Sequence, residues 1–147
     1  MSLIENRKIH FDYEILETFE AGLVLLGTEV KALRGGKGSL IGAYIIVRGG
    51  EVFASGMDIP AYQEKNAPTG YDPKRLRKLL LAKSEIAKLA EIESKKGLTI
   101  VPISIYNKGS KLKVEIAVVR GKKLHNKKES QKARDVSREL RREYSDR

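Results

Sequence analysis

"LTIVPISIYNKGSKLKVEIAVV", residues 98–119, decides how this chain folds. Two apolar runs, "LTIVPISIY" and "KLKVEIAVV", flank the short polar stretch "NKGS". In the second run Leu112, Val114, Ile116 and Val118 fall on one side of an extended chain, and Lys111, Lys113 and Glu115 fall on the other. A period of two marks a strand with one covered face and one wet face. Two such runs joined by a short glycine-containing turn predict an antiparallel hairpin, the unit of an open sheet or small barrel. Pro102 has no N–H for a ladder, so it belongs at an edge or a bulge.

The same reading extends outward. "AYIIVRGGEVFASGM" predicts a second hairpin, with Gly49-Gly50 supplying the positive φ angles of a tight turn. In "HFDYEILETFEAGLVL" Phe11, Tyr13 and Ile15 alternate, and Leu23 and Leu25 resume the pattern after a predicted bulge or bend at Ala21-Gly22. "GTEVKALRGG" predicts a short helix capped by Thr28, with Glu29 in its first turn and Gly35 as its stop. Residues Pro60 to Pro73 are loop-like, with a third proline at 68. In "DPKRLRKLLLAKSEIAKLAEIESKKG" Ser84 is the expected N-cap of a helix carrying Ile86, Leu89, Ala90 and Ile92 and ending at Gly97. The sum is a mainly β, α+β domain of about five or six strands and two or three helices. The expected architecture is a small, partly open antiparallel barrel of the oligonucleotide-binding type.

Charge separates the chain into two parts. Residues 120–147 hold 11 Lys or Arg against 5 Asp or Glu, whereas residues 1–119 hold 18 against 14. More than half of the net charge of +10 therefore sits in the last fifth of the chain, which points to a polyanionic partner. "GKKLHNKK", residues 121–128, opens that segment, and the rest runs to Arg147 without Gly or Pro. Ala133, Val136, Leu140 and Tyr144 form a thin apolar stripe on it, too small to fix a solitary helix. The expected division is a binding domain over 1–121 and a basic tail over 122–147, disordered when free and helical when bound. The absence of cysteine suits a reducing cytoplasm, and neither a secretion signal nor a run of membrane-spanning length is present. These features predict a soluble cytoplasmic protein with no membrane partner.

Catalytic motifs are lacking. His10 and His125 have no thiols to complete a zinc cluster, "GTEVK" lacks the second glycine of a phosphate-binding loop, and "RGGKGS" follows a predicted helix instead of opening one. The chain is read as a non-enzyme without metal or cofactor; a small nuclease is the reading that motif content disfavours. Glu20, beside Ala21-Gly22, is either a solvated strand residue or a carboxylate accepting from a base edge. Arg75, Arg77 and Lys78 before Leu79-Leu80-Leu81 are either a helix start with solvated charges or a phosphate clamp. His125, among lysines, is either solvated or able to stack on a nucleobase while its neighbours hold phosphates.

"ENRK", "DYEILETFEAGLVLLGTEVKALRGGK", "DPKRLRKLLL", "GLTIVPISIY" and "VRGKKLHNKK", in that order, resemble the small protein B family of SsrA-binding proteins, from Glu5 to about Lys128. The resemblance implies a barrel that binds the tRNA-like domain of transfer-messenger RNA near its elbow and accompanies it, with elongation factor Tu and GTP, into stalled ribosomes. Asn6, Glu20 and Leu80 match positions that such proteins use to hold the RNA; Arg7, Lys8, Gly22, Arg34, Arg75, Arg77 and Lys78 join them by charge or proximity. The tail would enter the decoding centre and the empty mRNA channel. There Lys122, Lys123, Lys127 and Lys128 would meet ribosomal RNA phosphates, His125 would stack, and Asn126 would keep a hydrogen-bonding cap without charge. Further along, Lys132, Arg134, Arg138, Arg141 and Arg142 would line the channel, with Tyr144 on the apolar seam. Asn126-Lys127-Lys128 stands where the family often has Asp-Lys-Arg, so Lys128 lacks arginine's planar fork. A generic oligonucleotide- or ribosomal-RNA-binding protein is the alternative expectation.

Overall fold

The computed structural model describes residues 2–62 and 70–121 of the chain. Its elements are β1 (Ser2–Glu5), α1 (Lys8–Asp12), β2 (Tyr13–Leu23), α2 (Gly27–Arg34), β3 (Tyr44–Arg48), β4 (Glu51–Ser55), β5 (Arg77–Leu80), α3 (Lys83–Glu93), β6 (Leu98–Lys108) and β7 (Lys111–Gly121). All seven strands pair antiparallel in the order β1-β6-β7-β2-β5-β4-β3. Among the described residues no ladder joins the two edges, β1 and β3, so the sheet is open. It curls far enough for β3 to pack against β6, which agrees with the expected partly open barrel.

Residues 98–119 form the hairpin as read. Lys108 pairs with Lys111 around Gly109-Ser110, and Gly109 takes φ 66°. Gly49 and Gly50 likewise take positive φ between β3 and β4. Leu112, Val114, Ile116 and Val118 enter the main core on the inner face, with Ala21, Val52, Leu79, Ile100, Leu33 of α2 and Leu89 of α3. The other face of β7 is wet only in part. Ala117 and Val119 are buried there with Ile9, Val101 and Ile103, a second small cluster over which α1 sits.

Two register shifts let one sheet serve both cores. The shift between Ile15 and Glu17 puts Ile15 on the outer cluster and Phe19 and Ala21 on the inner one. The shift between Pro102 and Ser104 does the same for Ile103 and Ile105, so Pro102 lies at a bulge, as expected.

Several local expectations are corrected. The bulge of β2 falls at Leu16, while Ala21-Gly22 is regularly paired with Val114 and Lys113. Phe11 belongs to α1 and not to a strand; the Asn6 carboxamide accepts the Lys8 backbone N–H at 3.1 Å, and this turn starts the helix. Helices α2 and α3 begin before Thr28 and Ser84. Glu29 accepts from the Leu26 N–H at 2.8 Å and Glu85 from the Ala82 N–H at 2.9 Å, so each start is held by a carboxylate reaching back three residues. Thr28 instead accepts the Tyr62 N–H. The segment "RKLL", for which a helix start is one of the two readings above, is strand β5, and β1 is an additional edge strand. The middle of the expected loop, 63–69, and the tail from Lys122 lie outside the described residues.

The least expected feature is a buried ionic node. Glu29 and Arg77 are both fully buried, and Arg77 donates to Glu29 at 2.6 Å. Arg75 donates to both Glu29 oxygens, at 2.6 and 2.9 Å. Arg77 also donates to the Met57 and Pro73 carbonyls, and the Tyr71 hydroxyl lies within reach of both the Ile59 carbonyl and Glu29. Burial raises the Glu29 pKa, but the hydrogen bonds from Arg75, the Leu26 N–H and Arg77 outweigh it and bring it from 4.5 to about 2.

Removing one partner strands the other's charge in the core. Arg77→Met should therefore cost about 3–5 kcal/mol in a denaturant melt. Glu29 binds its proton less readily folded than unfolded, so its contribution is present above pH 4.5 and lost as pH falls through about 2. Glu29→Gln should lower stability at neutral pH and flatten the acid decline in that window, measured by urea melts at stepped pH.

Candidate nucleic-acid interface

The outer face of the sheet changes character along its length. At one end α1 covers the small apolar cluster; at the other the side chains of β2, β5, β6 and β7 alternate outward. Glu20, Gly22, Lys78 and Leu80 share this face because Gly22 pairs with Leu80 across β2 and β5. Leu79 is core, whereas Leu80 exposes 53% of its surface. The pleat turns the "LLL" run into one outward-facing leucine between inward-facing neighbours. A Cβ at Gly22 would lie 3.4 Å from the Leu80 Cβ, an ordinary van der Waals contact.

Glu20 of β2 forms a triad with two residues of β6, on the far side of β7. The Tyr106 hydroxyl donates to it at 2.5 Å and the Lys108 ammonium at 3.0 Å. Tyr106's hydrogen bond first, and Lys108's next, hold the Glu20 carboxyl below its usual range. Burial and Glu20 together push the Tyr106 phenol well above its usual range, so it remains a donor. Glu20 also faces Glu115 directly across the ladder, a repulsive pair that Lys108 and Lys113 offset. The result is an anionic acceptor fixed in position on a face that carries Glu115 as well as the cations Lys108 and Lys113. Tyr106 and Lys108 were missed in the sequence because they come from β6, 86 and 88 residues away, and only the register brings them to Glu20.

The basic residues divide by environment. Arg34 extends from the end of α2 and donates to the Ser110 carbonyl at 3.0 Å, joining α2 to the β6–β7 turn. Lys78 is partly exposed and pairs with Glu51 at 3.2 Å. Arg75 is partly exposed but spent on Glu29. Arg77 is a correction to the expected surface collar: strand alternation turns it inward, where it is a core ion with no exposed surface. Asn6 is buried at the α1 end, away from Leu80, with its oxygen holding that helix. Arg7 and Lys8 beside it are exposed, Arg7 weakly paired to Glu5 at 3.4 Å. Lys111 and Lys113, legible in the sequence as a wet face, lie beside Gly22 and Leu80.

If the triad is what keeps Glu20 ionised and oriented, Tyr106→Phe should move its carboxyl titration upward towards the ordinary value. Carbon-detected NMR titration of the side-chain carboxyl reads this directly; an unmoved titration would contradict it.

Comparison with known proteins adds the following. The family model described as SmpB protein matches residues 3–146. The SsrA-binding protein of Burkholderia vietnamiensis is 48% identical over 139 residues, covering 95% of this chain and 94% of its own. That of Burkholderia thailandensis matches to the same extent. A solved chain from "tmRNA-SmpB: a journey to the center of the bacterial ribosome" superposes with a TM-score of 0.69 at 45% identity, over 82% of this chain and 84% of that one. By the family model, the sequence identity and the shared fold together, the chain belongs to the SmpB family of SsrA-binding proteins.

Proposed function

We propose that this protein is a non-enzymatic RNA-binding factor of trans-translation. The outer sheet face holds the tRNA-like domain of transfer-messenger RNA and accompanies it to the A site of stalled ribosomes. Relatives named as SsrA-binding proteins and a likeness to the tmRNA–SmpB chain support this reading. The observation that carries it is the placement of Leu80 and Glu20 on one open face. There an apolar platform and a fixed carboxylate lie among cations.

Such a face suits the corner of a folded RNA. Unstacked bases pack on an apolar surface, a carboxylate accepts from base amino and imino groups, and lysines and arginines meet the phosphates. The phosphate contacts provide affinity that falls with salt; Leu80 and Glu20 provide discrimination. Elongation factor Tu with GTP enters the assembly through the RNA. Among the described residues no helix is long and apolar enough to cross a membrane.

The segment from Lys122 onward is proposed to act on the ribosome. It would occupy the decoding centre and the vacant mRNA channel, with His125 stacking on a base and the lysines and arginines beyond it against rRNA phosphates. An mRNA already in the channel would exclude it, so vacancy is sensed without reading a sequence.

Two experiments test these parts separately. In gel-shift titrations at matched ionic strength, Leu80→Asp and Glu20→Arg should each lose at least tenfold affinity, roughly 1.4 kcal/mol, for the tRNA-like domain. Their affinity for an unrelated structured RNA should change little; equal losses on both RNAs would favour generic binding. Truncation after Asn126 should leave affinity for the tRNA-like domain intact while abolishing peptide tagging on stalled ribosomes. Full tagging by the truncated protein would refute the role of the tail.

A further inference from the structure

An open sheet has two edges, and each presents backbone N–H and C=O groups on which another chain's strand can pair. Among the described residues β1 forms one edge and β3 the other. By sequence β3 is the more prone to such pairing. "AYIIV", residues 43–47, is uncharged, free of proline and β-branched at three successive positions. That is the composition of a self-pairing segment.

The β3 edge is nevertheless occupied at Val47. This residue faces Val52 across the β3–β4 hairpin, yet its N–H donates to Glu93 Oε2 of α3 at 3.1 Å. Its backbone polar groups therefore point away from β4, to the side where a further strand would lie. The Val47 carbonyl accepts from Arg48 Nη1 at 2.6 Å, and the same nitrogen lies 3.3 Å from both Glu93 oxygens. One acceptor and one donor, paired with each other, thus meet the N–H and C=O of Val47 as a neighbouring strand residue would. We propose that Arg48 and Glu93 are a plug that stands in for a missing strand and keeps a second copy of this chain from pairing with β3.

The partner excluded is a second copy because this chain itself supplies the matching strand. Two β3 strands running antiparallel, with Val47 opposite Val47, would exchange both hydrogen bonds and generate a two-fold dimer. The plug is mounted on the last residue of α3, the end at which a helix opens first. A separate link holds the middle of that helix: Lys88 donates to Glu17 of β2 at 2.7 Å. Glu93 touches the β3 edge and Lys88 does not, so covering the edge and anchoring the helix can be tested apart.

The test compares the full chain with its variants by sedimentation velocity, from micromolar to millimolar protein, and by amide hydrogen exchange in dilute solution. Salt is added to screen the net charge of +10, which would otherwise hold copies apart. Wild type should remain monomeric throughout. Glu93→Ala should expose the Val47 amide, with exchange faster by roughly tenfold or more, and should dimerise as concentration rises. Glu93→Gln, whose side-chain carbonyl can still accept from Val47, should keep that amide protected and stay monomeric. Lys88→Met, which loosens α3 without uncovering β3, should stay monomeric too. If Glu93→Ala fails to fold, Arg48→Ala replaces it: the arginine side chain is 66% exposed, and its loss should move Val47 exchange and dimerisation in the same direction. A wild-type dimer joined through β3 would overturn the inference. So would a folded Glu93→Ala or Arg48→Ala chain that stays monomeric at millimolar concentration, or equal dimerisation by Lys88→Met, which would leave only general loosening of α3.

Discussion

Two arginines share one carboxylate where the first turn of α2 meets the start of β5, and the proposed binding face depends on that arrangement. Glu29 fixes the first turn of α2 through the Leu26 N–H and receives Arg75 and Arg77 from β5 and the segment before it. Arg77 and Tyr71 also tie down the Met57, Ile59 and Pro73 carbonyls, so both ends of the loop from 60 to 73 are anchored at the same point. An ion group of this kind adds little net stability compared with a well-packed apolar core, because its desolvation cost is large. What it supplies is geometry. It holds α2, which carries Arg34, against β5, which carries Leu80.

The rest of the face follows from strand pleat and register. A run of three leucines yields one exposed platform, Leu80, because its neighbours Leu79 and Leu81 pack inward. The bulges at Leu16 and Ile103 let the same sheet cover an inner core and, at its far end, a second one beneath α1. Between these, the outer face is left to polar residues. Glu20 can be a fixed acceptor because Tyr106 and Lys108 reach it from β6. The proposed face thus sets one immobile carboxylate acceptor beside lysines, an arrangement suited to an RNA that presents donors at a defined place as well as phosphates.

Much of this was legible in the sequence. The alternation from Lys111 to Val118 and the glycine turns at Gly49-Gly50 and Gly109 determined both hairpins, because period two and positive φ are local properties. Leu80 and Glu20 were identifiable only through the resemblance; by pattern alone each had a bland reading. Arg77 was misjudged as a surface cation because a charged residue at an inward strand position has no local signature. Its partner Glu29 is 48 residues away. Helix starts were placed late for a related reason: Leu26 and Ala82 look nothing like caps, and the capping group is the glutamate three residues on. Ala117 and Val119 continued the wet side of their strand in pattern, and only the small core under α1 accounts for their burial.

The central claim is that the outer face around Leu80, and not the basic charge of the chain at large, receives the RNA corner. Methyl NMR of the full chain bound to the tRNA-like domain tests it most directly, with Leu79, buried next door, as an internal control. The account predicts large shifts and intermolecular NOEs at the Leu80 methyls while those of Leu79 stay nearly in place. Saturating RNA that leaves the Leu80 methyls unmoved, with shifts confined to residues elsewhere, would contradict it.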